Sequence, residues 1–292
     1  MSQKEWQGST YGNGWMHKCL IRSLRYIDVR FLYIFSDIFV IPVCLVLNKS
    51  RKTAYYYFRK ILRNGRLKSM WLTYVNHCRF AEVVIDKFAM YAGKKFDLEV
   101  IGMEHFSRLE AQKEGFLHLS SHIGNYEIAG YTLVSDNKVI NAVVYAHEKA
   151  SVMENRNNMF VKTNIRMITL KSDMSHLFEI DQALCNGDIV SFPTDRFMGQ
   201  TKCVECDFLG KPAKFPQGPF SAATRRGLDV LGVNGMKRRG KGYTIYRTPL
   251  QYDKTAPRRE QIKQLSESYV NELEKRVRQY PTQWYNFFEF WK

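Results

Sequence analysis

Residues 114–134 read EGFLHLSSHIGNYEIAGYTLV, and the fold class is decided there. Phe116–Ser121 is a short apolar run opened by Gly115, the pattern of a buried strand. His122-Ile123-Gly124-Asn125 interrupts it with a turn-capable Gly-Asn pair, and the stretch from Tyr126 onward can form a helix. A strand that hands over to a helix through a polar loop is the building unit of α/β folds. Ligand chemistry in such folds gathers in the loops at strand ends.

The same alternation recurs on both sides. Strands are expected at Phe96–Ile101, Val139–Tyr145, Ile189–Pro193, Lys202–Phe208, Val230–Val233 and Tyr243–Arg247. Helices are expected at Glu148–Asn164, Met174–Asn186 and Pro219–Arg226. Ile262, Leu265, Tyr269, Leu273 and Val277 recur at three and four residues, which predicts an amphipathic helix that Pro281 stops. Residues 15–92 read as mainly helical, with Trp71, Val75, Cys78, Glu82, Ile85 and Ala89 on one stripe. The expectation is an α/β fold with a central mixed sheet flanked by helices. The closing aromatics, from Trp284 to Trp291, fit either a cap on the core or an anchor at a membrane interface.

With 292 residues, 45% of them hydrophobic, the chain can bury a sizeable core, and no repeat or linker divides it. Forty-four Lys and Arg against 28 Asp and Glu give a net charge of +16. Residues 1–68 hold 13 basic and 3 acidic groups, so most of the excess sits there. A localised basic surface seeks polyanions, such as anionic headgroups, phosphorylated glycolipids or acidic proteins. Within this region FLYIFSDIFVIPVCLVL (31–47) carries a single charge, Asp37. As a helix it spans about 26 Å, just short of a hydrocarbon core. It starts too late for a usual signal peptide and no small-residue cleavage pattern follows. A buried helix, a tilted span and a segment lying in the interface all fit, and a membrane surface is favoured. The chain therefore divides into a basic, membrane-associating helical segment (1–68) and an α/β domain (69–292), folding as one unit.

His122 and Glu127 are the candidate catalytic pair. Four of the seven histidines are followed five residues later by a carboxylate: His77/Glu82, His105/Glu110, His122/Glu127 and His176/Asp181. His77 and His176 fall in helical stretches, where five residues turn the side chains apart. His105 falls in a polar connector. His122 alone follows an apolar strand and precedes Gly-Asn. An imidazole held by a carboxylate can take a proton from an attacking hydroxyl near neutral pH. A structural His, hydrogen-bonded at a strand end, fits the same residues. Cys203-Val204-Glu205-Cys206 has no second pair to complete a zinc site and reads as a strand, so no metal is expected. Gly235–Gly242 nearly spells a P-loop, but Gly242 stands where the hydroxyl should be, which leaves a basic turn between two strands. No GxSxG, HExxH or GxGxxG motif is present.

At these residues the chain resembles the lipid A biosynthesis (late) acyltransferases, within the wider glycerolipid acyltransferase group and its HxxxxD/E motif. His122-Ile-Gly-Asn125-Tyr-Glu127 is similar to that family's His-x-Gly-Asn-Trp-Glu signature. Gly187-Asp-Ile-Val-Ser-Phe-Pro-Thr-Asp195-Arg196, Phe208-Leu-Gly-Lys-Pro-Ala213, Pro216-Gln-Gly218-Pro219 and Pro281-Thr-Gln-Trp284 follow in the family's order. The resemblance implies a glycerolipid-acyltransferase-like sheet and acyl transfer from an acyl carrier protein or CoA thioester. The implied acceptor is a hydroxyl of a lipid A-type glycolipid, at the cytoplasmic face of the inner membrane. It implies no bound cofactor, acyl carrier protein as a partner, and no nucleic acid. His122 becomes the general base and Glu127 its orienting carboxylate. Asn125, Arg196 and Gly218 become substrate-binding or oxyanion residues, together with Arg166, for which Arg156 is the rival; Asp195 becomes an orienting carboxylate near the site, with a plain turn Asp as the alternative. Asp195-Arg196 departs from the family's Asp-Gln, and Tyr126 from its Trp, which leaves the acceptor open: a lysophospholipid, an aminolipid or an aryl-polyene lipid are alternatives. A non-enzymatic basic protein that binds membrane or nucleic acid is the rival class.

Overall fold

The computed structural model describes residues 14–128, 135–145, 164–171, 173–196 and 202–291. Its centre is a seven-stranded sheet: β1 (Asp97–Ile101), β2 (Phe116–Ser120), β3 (Ile140–Tyr145), β4 (Ile165–Leu170), β5 (Ile189–Pro193), β8 (Val230–Lys237) and β9 (Gly242–Leu250). The ribbon β6 (Cys203–Phe208) and β7 (Lys211–Pro216) pairs separately and antiparallel. Strand order in the sheet is β1-β9-β8-β2-β5-β3-β4. Every neighbouring pair is parallel except the β8–β9 hairpin. The sheet is thus mixed, and β8, β2, β5, β3 and β4 all end at one shared edge.

Helices α1 (Gly14–Leu24), α2 (Val29–Phe35), α3 (Ile41–Leu47), α4 (Ser50–Tyr56) and α5 (Arg66–Tyr91) precede the sheet. Between strands and after them come α6 (Met103–Glu110), α7 (His176–Cys185), α8 (Gln217–Arg225) and α9 (Arg258–Gln279). The expected amphipathic helix is α9, which buries Leu265, Tyr269, Leu273 and Val277 against the sheet. On the same side Phe208, Phe215, Trp284 and Phe290 stack edge to face, so the closing aromatics cap the core. On β6, Cys206 faces the core and Cys203 the other way.

Two strands were not expected. Ile165–Leu170 alternates too weakly to stand out, and β7 carries Pro212 and Pro216, which a two-stranded ribbon tolerates because one side of each strand is free. The expected helix Glu148–Asn164 lies almost wholly outside the described residues, and Asn164 is a turn. His105 lies on α6 rather than in a connector.

Residues Val29–Leu47 form one continuous helical run with a π-turn over Ser36–Val40, just ahead of Pro42, whose missing N–H loosens the ladder there. Only 22% of its most apolar window is buried, which rules out the core-helix reading. Val29, Tyr33, Ser36 and Ile41 pack inward, chiefly on α5, and the Tyr74 hydroxyl donates to the Asp37 carbonyl at 2.9 Å. Asp37 turns its carboxyl to Cys78 and Arg79 on α5. Phe31, Ile34, Phe35, Ile38, Phe39 and Val43 are exposed on the opposite side, and Leu67, Met70 and Trp71 of α5 are exposed as well. Of the stripe expected on α5, Cys78, Glu82 and Ala89 are buried and Trp71 is exposed, and the helix buries Asn76, His77 and Asp86 besides.

Strand β2 is buried at every position, including His118. Its ring lies between Phe106 and Phe116, and neither nitrogen has a hydrogen bond. Burial, reinforced by the Arg247 charge, pushes its pKa from 6.5 down to about 3. Between those values the unfolded chain binds a proton that the folded chain refuses, so stability falls as pH drops through the window. His118→Phe is expected to weaken this dependence: its stability loss between about pH 7 and about pH 4.5 shrinks by about 2 kcal/mol, read by urea unfolding.

Candidate active site

Strand register builds the site. β2 pairs with β5 so that Ser120 faces Pro193, and the Thr194 amide extends the pairing to the Ser120 carbonyl at 2.8 Å. His122 and Asp195 each stand two residues past that last pair, on neighbouring strands and on the same side. The Asp195 carboxylate accepts from the His122 ring Nδ1 at 2.7 Å and from the His122 amide at 2.9 Å. A carboxylate only accepts, so Nδ1 carries the proton and Nε2 presents a lone pair.

The loop that carries His122 is clasped from both sides. Gly124 has φ +60°, and an added Cβ would lie 2.2 Å from the Gly235 carbonyl oxygen, so glycine is required twice over. Its amide donates to the Gln283 carbonyl and the Asn125 amide to the Gly235 carbonyl, both at 2.7 Å. Gln283 also bonds the backbone of Lys237 in both directions at 2.8 Å. The Pro281–Trp284 close is therefore a strap that ties the His122 loop to the end of β8. Asn125 caps the following helical turn by accepting from the Ile128 amide at 3.1 Å, and donates to the Tyr243 hydroxyl at 3.3 Å.

The carboxylate on the imidazole is Asp195, where the sequence reading assigned the orienting role to Glu127. Glu127 lies one residue into the helical turn and points to α5, where Lys87 Nζ pairs with it at 2.6 Å and the Tyr91 hydroxyl donates at 3.3 Å. It still acts on the ring through its field, which favours the imidazolium. Arg166 is exposed near the start of β4, opposite Asn141. It sits three strands from β2, about 14 Å of lateral spacing, and close to the other edge of the sheet. That removes it from the His122 loop. Arg156 lies outside the described residues. Gly218, in the first turn of α8, is exposed, and an added Cβ would meet nothing within 4 Å, so the fold does not require a glycine there. Arg196 is buried beside the pair, its guanidinium 5.7 Å from the Phe288 ring centre.

Burial first, and then the Arg196 charge, hold the His122 pKa below 6.5 against the opposing pull of Asp195. Burial would raise the Asp195 carboxyl, but His122 and Arg196 outweigh it, and it stays below 3.8. At neutral pH the pair is thus a neutral imidazole on a carboxylate, ready to accept a proton at Nε2. Arg196→Gln removes a positive charge that opposes the imidazolium. The acid limb of kcat/KM is expected to move to higher pH, measured as a pH–rate profile.

A second layer escaped the sequence reading. Asp86 of α5 is fully buried and receives Lys237 Nζ at 2.5 Å and the hydroxyls of Tyr33 and Tyr243. Through Tyr243 and Asn125, this network joins the apolar N-terminal run to the His122 loop. Lys237 is part of the basic stretch that reads as a surface turn, and nothing local marks it as buried. The decoys resolve as structure: His77 bonds the Thr73 carbonyl at 2.8 Å and Ser50 at 3.1 Å, and His176 accepts from the Lys171 amide at 3.1 Å. Among the described residues no group of His, Cys, Asp and Glu has the arrangement of a metal site.

Comparison with known proteins places the site in context. The family described as bacterial lipid A biosynthesis acyltransferase matches residues 80–292, which includes His122, Glu127, Asp195 and Arg196. The phosphatidylinositol mannoside acyltransferases of two Mycobacterium tuberculosis strains are each 24% identical over 155 residues. That match covers 52% of this chain and 49% of theirs, so the chain spans about half the length of these curated relatives. The 1-acyl-sn-glycerophosphate acyltransferase PlsC of Thermotoga maritima superposes with a TM-score of 0.39 at 15% identity, over 93% of this chain and 99% of that one. With the family match running from α5 through the His122 loop, Asp195 and the Gln283 strap, the chain belongs to the bacterial lipid A biosynthesis acyltransferase family.

Proposed function

We propose that this protein transfers a fatty acyl group from an acyl carrier protein or CoA thioester to a hydroxyl of a membrane lipid, a lipid A-type glycolipid first among them. The observation that carries the reading is the 2.7 Å His122–Asp195 pair at the sheet edge, which sets the ring proton on Nδ1 while burial holds the pKa low. Nε2 takes the proton of the acceptor hydroxyl as its oxygen attacks the thioester carbonyl. Asp195 stabilises the imidazolium that forms. When the tetrahedral intermediate collapses, the carbon–sulfur bond breaks and the imidazolium returns its proton to the departing thiolate. Arg196 supplies positive charge near the developing oxyanion. Glu127, with Lys87 and Tyr91, holds the helical turn that shapes the site.

A glycolipid acceptor is supported by the family description and by the relatives' name, which also denotes a sugar-bearing lipid. The exposed apolar face of residues 29–47 and the basic excess of residues 1–68 support work at an anionic membrane surface, the cytoplasmic face of the inner membrane. The same charge suits an acidic carrier protein. The test incubates purified protein with acyl carrier protein thioester and lipid A precursor in mixed micelles, following thiol release and product mass. Acylated precursor is expected, and at least about 10²-fold less of it per unit time from His122→Ala. Acyl transfer to lysophospholipid or an aminolipid instead would replace the acceptor. Absence of thiol release with any of these would overturn the enzyme.

A further inference from the structure

We propose that the turn before α7 and the start of that helix, carrying Met174, Leu177 and Phe178, form a second bilayer contact. Together with the N-terminal apolar face it seats the edge of the sheet on the membrane with His122 between the two. This rests on the reading that the acceptor is a membrane lipid reached from an interface.

The placement follows from topology. β2, β5, β3, β4 and β8 end at one edge; His122 and Asp195 leave β2 and β5 there, and β4 ends there at Leu170. Residues 173–178 therefore lie at the catalytic edge, on the β4 side. The N-terminal helices attach at the same edge on the β8–β9 side, because Tyr33 and Asp86 meet Lys237 at the last residue of β8. The two apolar surfaces thus bracket the catalytic loop.

The α7 surface is built to stay outside. Met174 is 56%, Leu177 49% and Phe178 81% exposed. Met174 holds φ +63°, a left-handed conformation that non-glycine residues rarely adopt. Around it the polar groups are satisfied locally: the Lys171 amide donates to His176 Nδ1 at 3.1 Å and the Ser175 amide to Asp173 at 3.0 Å. The turn is pinned, and its apolar side chains still project into solvent. A lipid bilayer is the occupant that accounts for two such surfaces on one edge, since each apolar patch gains by entering the acyl boundary and the basic excess of residues 1–68 draws that edge to anionic headgroups.

Benzoylphenylalanine placed singly at Phe39, Phe178 and Lys113 tests this. Lys113 is exposed at the opposite edge, before β2. Full-length protein is irradiated on vesicles of phosphatidylethanolamine and phosphatidylglycerol, with acyl carrier protein present, and the adducts are identified by mass. Lipid adducts are expected at 39 and 178 and none at 113. Phe178→Asp, a change at an exposed position, is expected to weaken vesicle binding about tenfold. Lipid capture at 39, with nothing, carrier protein or a second copy captured at 178, overturns the inference and leaves the membrane reading standing. Failure at both positions overturns both.

Discussion

His122→Ala is expected to lower kcat by about 10²–10⁴-fold with little change in KM, because it removes a proton acceptor used only as the transition state forms. Asp195→Asn is expected to fall as far. An amide can donate to Nδ1, which would move the ring proton to Nε2 and leave no lone pair for the acceptor hydroxyl. Glu127→Gln is expected to lose at least about 10²-fold as well, by another route: it weakens the ion pair with Lys87 that fastens the helical turn after Asn125 to α5. The routes separate in thermal unfolding. The Glu127 variant melts earlier, while His122→Ala keeps the parent Tm, since the loop is held by backbone bonds to Gln283 and Gly235 that do not involve the ring. Turnover under saturating thioester, measured beside thermal scans, checks all three.

Lys237→Met is expected to cost about 3–5 kcal/mol of stability, the largest effect of any substitution away from the catalytic pair. Lys237 and Asp86 are both fully inaccessible as side chains, and removal of the ammonium leaves the carboxylate buried with only two tyrosine hydroxyls. Lys237→Met combined with Asp86→Asn is expected to recover part of the loss, because the pair's removal costs less than the orphaned charge. Urea unfolding of both single variants and the double variant closes the cycle. An additive double variant would mean that the two groups do not depend on each other.

The strands and helices with strong periodicity were legible in sequence: β5 is expected and observed over the same residues, and β2 differs by one. β4 and β7 were not, the one because Ile165–Leu170 mixes polar and apolar residues on an edge, the other because its prolines argue against pairing in a wide sheet. His122 was legible because strand, turn and helix are all local. Its partner was not legible from spacing, which favours Glu127, five residues away; the family resemblance put Asp195 near the site, and the β2–β5 register brings it onto the ring from 73 residues away. Neither Asp86 nor Lys237 could be placed, since the groups that meet them, each other and two tyrosines among them, lie far apart in the chain.

The central claim is that the ring of His122, protonated at Nδ1 by virtue of Asp195, is the base. Nitrogen-15 NMR of His122, followed through pH beside kcat/KM, tests it most directly. The account predicts a neutral ring with the proton on Nδ1, a titration midpoint below 6.5, and a rate profile whose acid limb shares that midpoint. A ring protonated at Nε2, or a rate that keeps its plateau after the ring has taken up its second proton, would contradict it.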